Sequence, residues 1–545
     1  MDFFKITNRM IFIISFCFLI IFIQGILFLP VLDRDEARFA SATQNMLQTS
    51  DFIDIEIEGE KRYKKPIGIY WAQALSTSIF GSEPFNQIWT YRIPSFLAIF
   101  SSLLLIFFSV RRVYGDFVAS FSTLLLSCSF LLISEMHQAK SDALLFLFIN
   151  ICNFLILESI KNNQTQITKI KFTLFWISLS LGTLTKGPII FLFVILPILI
   201  FFFITRSRQA ILFLKNKTGY IIYFAIVLPW FILITLKSDW LFWRESLGHD
   251  LFKKVLSSQE SHGFIPGYYF ISFYIFFWPG CLYIIPAIQN FFSKIKTNRI
   301  KKDNLFLICV ILPAYLIYEL IPTKLPHYIL GLYPAVSILI SNFLDENKKK
   351  ELFINNLHLV LFSIFPLTII ISFIYAFNQF SEFKNFFVFI IFTYLAIFFF
   401  SIKLYIKRKF RAFVLSCIMF QIFNYLSIVH FLNPNLDKLW IAKKISSYVE
   451  SYEYNNVYHF GFNEPSLVFM IGSNAKRTNP NVMLNLINNS SNDLFIISGK
   501  EANQFLEYSK KNKKFKHIES FEGYNYSKGK YILTSIFESD GSSKR

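Results

Sequence analysis

The chain has 545 residues, 54% of them hydrophobic and only 16% charged, with a net charge of +19. A soluble globular chain is about a quarter charged, so this composition excludes a soluble enzyme, a disordered chain and a secreted disulfide scaffold. The basic surplus sits mostly in short loops between apolar runs, which points to membrane topology rather than to nucleic acid.

The first apolar run, 10–32, follows Lys5 and Arg9 and spans 23 residues. As a helix it measures about 35 Å, enough to cross a bilayer. It is too long for a signal-peptide core and has no small-x-small cleavage site, so an uncleaved span is expected. Residues 33–90 are polar and charged, with two amphipathic stretches, Asp35–Leu47 and Ile67–Phe80, that suit helices lying in the membrane interface. Further apolar runs follow at 91–110, 116–134, 142–160, 172–185, 187–205, 219–236, 267–290, 304–321, 328–343, 353–377, 385–406 and 412–430. Thirteen spans are therefore expected, the runs at 172–185 and 328–343 being short. Residues 1–430 form a membrane module. Residues 431–545 change in character: short β-rich pieces (456–460, 494–498, 531–535) alternate with helical patterns (437–451, 501–510), as in a small α/β domain. Six cysteines, at 17, 128, 152, 281, 309 and 417, all lie in apolar runs without a Cys-x-x-Cys, so disulfides and thiolate metal sites are not expected.

Loop charge sets the orientation. Alternate loops collect 24 Lys and Arg on one side against 8 in the short loops opposite. The positive-inside rule then places the N-terminus in the cytoplasm. An odd number of spans puts 33–90 and the C-terminal domain outside, in the periplasm of a bacterial inner-membrane protein.

The charges on the outer side are the ones topology does not explain. The first outer loop carries Asp35, Glu36 and Arg38, then Lys61, Arg62, Tyr63 and Lys65. Lys140-Ser141-Asp142 opens the fourth run, and Lys186 lies between the fifth and sixth. Later loops hold Arg244, Glu245, His249, Asp250, Glu260, His262, Lys324, His327 and Tyr328. An ionisable group at membrane depth costs about 2.5–3.5 kcal/mol on insertion scales, so Asp142 and Lys186 at the borders of apolar runs are site candidates or a helix-pinning ion pair. A carboxylate can take a proton from an acceptor hydroxyl, and a ring of cations can hold a phosphate leaving group. No Gly-rich nucleotide loop is present, and no His-x₃-His spacing argues for a metal. A transporter or flippase of lipid-linked sugars shares the spans and the polar outer face. It calls for charges deep in several helices or paired broken helices, and here the charge collects at one face.

The strings Asp35-Glu36-Ala37-Arg38-Phe39-Ala40 and Lys64-Lys65-Pro66-Ile67-Gly68-Ile69-Tyr70-Trp71 resemble the first outer loop of the ArnT-like and protein O-mannosyltransferase-like GT-C glycosyltransferases. Arg92-Ile93-Pro94-Ser95, Lys140-Ser141-Asp142, Leu184-Thr185-Lys186-Gly187-Pro188, Gln259-Glu260-Ser261-His262-Gly263 and Lys324-Leu325-Pro326-His327-Tyr328 extend the likeness in order over 31–345. Asn463-Glu464-Pro465-Ser466-Leu467 is similar to the outer domain of the ArnT-like branch. The resemblance implies a helical GT-C membrane enzyme that moves a sugar from a polyprenyl phosphate carrier to an envelope acceptor: lipid A, another glycolipid or polysaccharide, or protein. It implies that Asp35 and Asp142 stand where the family has two essential acids. Lys186 stands at the lysine that bridges them, and Lys65 at the lysine near the carrier phosphate. Arg244, Lys324, Lys61 and Arg62 are expected to assist with that phosphate. The resemblance leaves a divalent metal open, and Lys64 counts against it, standing where ArnT relatives often carry an acid that contributes to a metal position.

Overall fold

A computed structural model describes residues 21–246, 248, 266–297, 299–346, 356–380, 385–451, 454–472, 475–489, 492–512 and 515–539. His262, with His249, Asp250 and Glu260, lies outside the described residues.

Every one of the thirteen apolar runs carries helix among the described residues, the first over 21–28. Among the described residues, eight helical segments are long and apolar enough to cross a membrane, and a ninth span results if Asp116–Ser127 and Phe130–Met136, bent by 66°, count together. Of the other runs, the first is described only over its last part, and the rest are helical but broken, or basic at their ends. Lys169–Lys186 carries lysines in its first and last turns. Ile189–Phe193 and Ile195–Thr205 break at Val194, where Pro197 cannot donate to the carbonyl four residues back. Tyr268–Phe276 and Ile284–Lys296 are joined through Trp278-Pro279 and a 3₁₀ turn at Gly280–Tyr283. The chain is a multi-pass membrane protein.

The two amphipathic stretches of the first outer loop fold as Asp35–Thr49 and Gly68–Phe80. The second leaves Trp71, Leu75 and Ile79 exposed along one face, the placement an interfacial helix needs. The first departs from the expectation. Glu36, Ala37, Phe39 to Gln44 and Met46 are buried, because the helix Pro465–Ile471 of the C-terminal region packs over it. Gln44 Nε2 donates to the carbonyl of Phe469 at 3.3 Å and Asn86 Nδ2 to that of Met470 at 3.3 Å. Between the helices, β1 (Glu56–Ile57) and β2 (Glu60–Lys61) form a small antiparallel hairpin.

The C-terminal region builds one five-stranded sheet from β3 (Val457–Phe460), β4 (Ala475–Arg477), β5 (Leu494–Ser498), β6 (Phe515–Asn525) and β7 (Lys530–Ser539), in the order β4-β3-β5-β7-β6. β3 runs parallel to β4 and β5, while β7 runs antiparallel to β5 and β6. β5 is buried along its whole length because the sheet is covered on both faces. Leu494 and Ile496 pack with Ile441, Ile445 and Leu467; Phe495 and Ile497 pack with Met483, Ile487 and Phe505. The pieces expected at 456–460, 494–498 and 531–535 are strands. β4 and β6 escaped the sequence reading, β6 because its residues alternate without an apolar run.

Candidate active site

Two adjacent acids open the helix Asp35–Thr49 and face different surroundings. Glu36 is 1% exposed and takes a bidentate pair from Arg92, Nε to Oε1 at 2.8 Å and Nη2 to Oε2 at 2.8 Å. The backbone amides of Leu32 and Ala139 donate to the same carboxylate at 2.9 Å each. Arg92 spends its other donors on the carbonyls of Ile26, Leu29 and Pro30. Every group of the pair is thus satisfied, which is what a buried charge pair requires. Glu36 is therefore a strut that joins the first span, the loop helix and the second span. As a chemical site candidate it is corrected by this saturation.

Asp35 keeps solvent access. Burial by the surrounding protein raises its carboxyl, but Lys140, Arg62, His327 and Arg38 together outweigh that and hold it below the usual carboxylate range. It is an ionised acid facing a basic surround.

Lys186 ends its helix and pairs with Asp142, which begins the helix immediately upstream; both side chains are almost fully buried. Tyr328 lies under the ammonium of Lys186, 5.7 Å from ring centroid to Nζ. Glu135 and Lys140 form a second buried pair at 3.0 Å. His327 lies within electrostatic reach of Asp142, Lys140, Lys186 and Asp35. One end of the bundle thus gathers Asp35, Glu135, Lys140, Asp142, Lys186, His327 and Tyr328. Glu135 Oε2 has no hydrogen-bond partner among the described residues. Glu135 was missed in the sequence; its signal is a carboxylate at the end of an otherwise apolar run. Lys140 was seen only as part of its string.

The Lys-Pro segment is built against this cluster. A Cβ on Gly68 would fall 2.8 Å from the carbonyl carbon and oxygen of Leu184, so only glycine lets the helix Gly68–Phe80 start on the Leu184–Gly187 backbone. That contact brings half-buried Lys65 and buried Pro66 beside the segment that carries Lys186.

Other expected cations are already engaged. Lys61 pairs with Asp54 at 2.7 Å and with Glu56, and Tyr63 donates to Asp54 at 2.7 Å. Both therefore serve the hairpin rather than an open phosphate site. Buried Arg62 stacks on Phe39 at 5.3 Å and faces Asp35. Lys324 is 3% exposed and donates to the carbonyls of Tyr318 and Glu319, so it caps the helix Lys302–Leu320. Burial pushes its ammonium below the usual lysine range against the pull of Glu319. Arg244, exposed, and Glu245, half-buried, follow the short helix Leu241–Trp243. Among the described residues no three His, Cys, Asp or Glu side chains are grouped to hold a metal.

Comparison with known proteins agrees with this architecture. The family described as dolichyl-phosphate-mannose-protein mannosyltransferase matches residues 64–233. An uncharacterised protein of Aquifex aeolicus is 28% identical over 65% of this chain and 78% of its own. An undecaprenyl phosphate-alpha-4-amino-4-deoxy-L-arabinose arabinosyl transferase of Photorhabdus laumondii is 26% identical over 58% of this chain. The match spans 57% of that relative's length. The crystal structure of ArnT from Cupriavidus metallidurans bound to undecaprenyl phosphate superposes with a TM-score of 0.73, covering 98% of this chain and 99% of that one at 15% identity. The fold is thus that of ArnT, the C-terminal sheet region included. In fold, and in sequence over these partial matches, the chain is similar to membrane glycosyltransferases.

Proposed function

We propose that the protein transfers a sugar from a polyprenyl monophosphate carrier to an acceptor of the cell envelope, at the outer face of a bacterial inner membrane. The N-terminus is cytoplasmic and the C-terminal domain periplasmic. The observation that carries the reading is the Asp142–Lys186 pair, with His327 facing both it and Asp35, and with the Lys65-Pro66 segment seated against the backbone that carries Lys186. Asp35, ionised and accessible, receives or orients the acceptor. Lys65 neutralises the carrier phosphate as it departs, with Lys186 held ready by Asp142. A lipid monophosphate leaving group needs charge neutralisation more than a strong general acid, and cations supply it best where water is excluded. In-line displacement inverts the anomeric centre, through an oxocarbenium-like transition state by analogy with glycoside hydrolysis. Lipid A, another glycolipid, a polysaccharide or a protein is the acceptor.

The test uses purified full-length protein, native membranes as acceptor and labelled sugars presented either on undecaprenyl phosphate or as nucleotide sugars. Transfer from the lipid-linked donor alone, abolished in Lys65→Ala while expression is retained, is the expected result. Efficient transfer from a nucleotide sugar without lipid carrier overturns it.

A further inference from the structure

The dipeptide before Asp35 is held from outside the membrane module. Asp33 N–H donates to the hydroxyl of Tyr526 at 2.7 Å, and Arg34 Nη2 donates to the carbonyl of Ser527 at 2.7 Å. Tyr526 and Ser527 belong to the turn between β6 and β7. Arg34 has φ of 69°, a left-handed conformation that a non-glycine residue keeps only when its surroundings hold it. The Arg34 side chain does not cap the helix that follows; Ala37 N–H donates to the carbonyl of Leu32 and Arg38 N–H to that of Arg34, so the start of Asp35–Thr49 is tied to the 32–34 segment that these contacts hold. Asp35 is its first residue.

We propose that Tyr526 is a positioning residue for the transfer reaction: the β6–β7 turn clamps Asp33 and Arg34 and thereby fixes the direction in which Asp35 points into the site.

The clamp has its own charge chemistry. Asp33 Oδ1 is buried without a hydrogen-bond partner among the described residues. The groups facing Asp33 are Ser466, Glu464 and Tyr526, and Tyr526 in turn faces Glu36. Glu464, 5% exposed, is held by Asn525 Nδ2 at 2.8 Å and by Lys528 at 3.8 Å. Asp33, Ser466, Asn525 and Tyr526 also line a cavity of about 200 Å³ between the two regions, so protons can reach the carboxyl. Burial, with a contribution from Glu464, raises Asp33 from 3.8 to about 6 despite its hydrogen bonds. A carboxyl raised in the docked state strengthens docking at low pH and loses that contribution as pH rises through about 6. The clamp is therefore tightest in mild acid.

The assignment rests on the glycosyltransferase reading only for its activity arm. Wild type, Tyr526→Phe, Asp33→Asn and Ser527→Ala are compared as full-length proteins in nanodiscs. Hydrogen exchange is followed across 33–40, and sugar transfer from labelled undecaprenyl-phosphate sugar to native membranes is measured. For Tyr526→Phe, kcat falls about tenfold with donor KM within about twofold. Exchange rises over 33–40 and stays unchanged over 457–539. Ser527→Ala, which contacts Arg34 only through its backbone, behaves as wild type. The wild-type exchange of 33–40 steps up near pH 6, and Asp33→Asn removes the step. Unchanged exchange over 33–40 in Tyr526→Phe overturns the clamp. So does loosening that spreads over 457–539, which marks a merely structural hydroxyl. Absence of transfer in the wild type counts against the proposed activity alone, because the exchange arm still decides the clamp.

Discussion

Two buried charge constellations lie within a few residues of each other and are built on opposite principles. Around Glu36 and Arg92, both carboxylate oxygens and all the guanidinium nitrogens meet a partner, five of the contacts being backbone carbonyls or amides of neighbouring segments. Around Asp142 and Lys186, the charges outnumber the hydrogen bonds. Lys140 answers Glu135, His327 faces two acids and two lysines, and Glu135 keeps an oxygen without a partner among the described residues. A saturated pair has nothing left to offer a substrate and acts as a joint. A cluster with mixed signs and spare valence can exchange partners when an anionic lipid enters. The contrast separates structure from chemistry better than burial does, since both constellations are nearly dry.

Asp142→Asn should sharpen the comparison most. Transfer should fall by about 10²–10³-fold, the usual loss when an electrostatic element aimed at the reacting group is removed. Steady-state transfer checks this, with detergent-solubilised yield as the control for folding. Activity within a few-fold of wild type would make the pair a joint like the other.

Arg92→Ala should leave Glu36 buried without its counter-charge and destabilise the protein by about 3–5 kcal/mol. Thermal unfolding in detergent and expression level report it. Arg92→Lys should recover little, because one ammonium cannot replace a fork that reaches two carboxylate oxygens and three carbonyls. A melting temperature equal to wild type contradicts the strut.

Asp35 should stay ionised through neutral and mildly acidic pH, because a depressed carboxyl loses its contribution only as pH falls below the ordinary range. Removing a cation that faces it, in Lys140→Met, should move the acid limb of the pH–rate profile upward. An unmoved limb would detach Asp35 from the cluster.

Lys61→Ala should be nearly silent. Its pairs with Asp54 and Glu56 are partly exposed, and such pairs contribute about 0–1 kcal/mol. Abolished transfer in this variant would return Lys61 to the carrier phosphate.

The chemistry-bearing strings were legible because they break the positive-inside pattern: a lysine or acid at an outer end of an apolar run has to be explained. Asp142 and Lys186, 44 positions apart, were readable as partners for that reason. Glu36 was not separable from Asp35 by sequence, since adjacent helix residues point about 100° apart and only packing says which side is the core. Lys324 and Lys61 looked like phosphate ligands for the same reason: sequence shows a cation but not the carbonyls or carboxylates it has already taken. His262 lies outside the described residues.

Composition and hydropathy runs by themselves determined a many-span membrane protein with an α/β domain after it, because burial in a bilayer demands long apolar helices regardless of fold. The ordered motifs added the likeness to the glycosyltransferases. Tertiary structure decided what depends on contacts between distant segments: the seating of the helix Asp35–Thr49 beneath the C-terminal domain, the start of Gly68–Phe80 on the Leu184 backbone, and the clamp of Tyr526 on Asp33 across 493 positions. Periodicity measures which face of an element is apolar, and it carries no information on which other face will cover it.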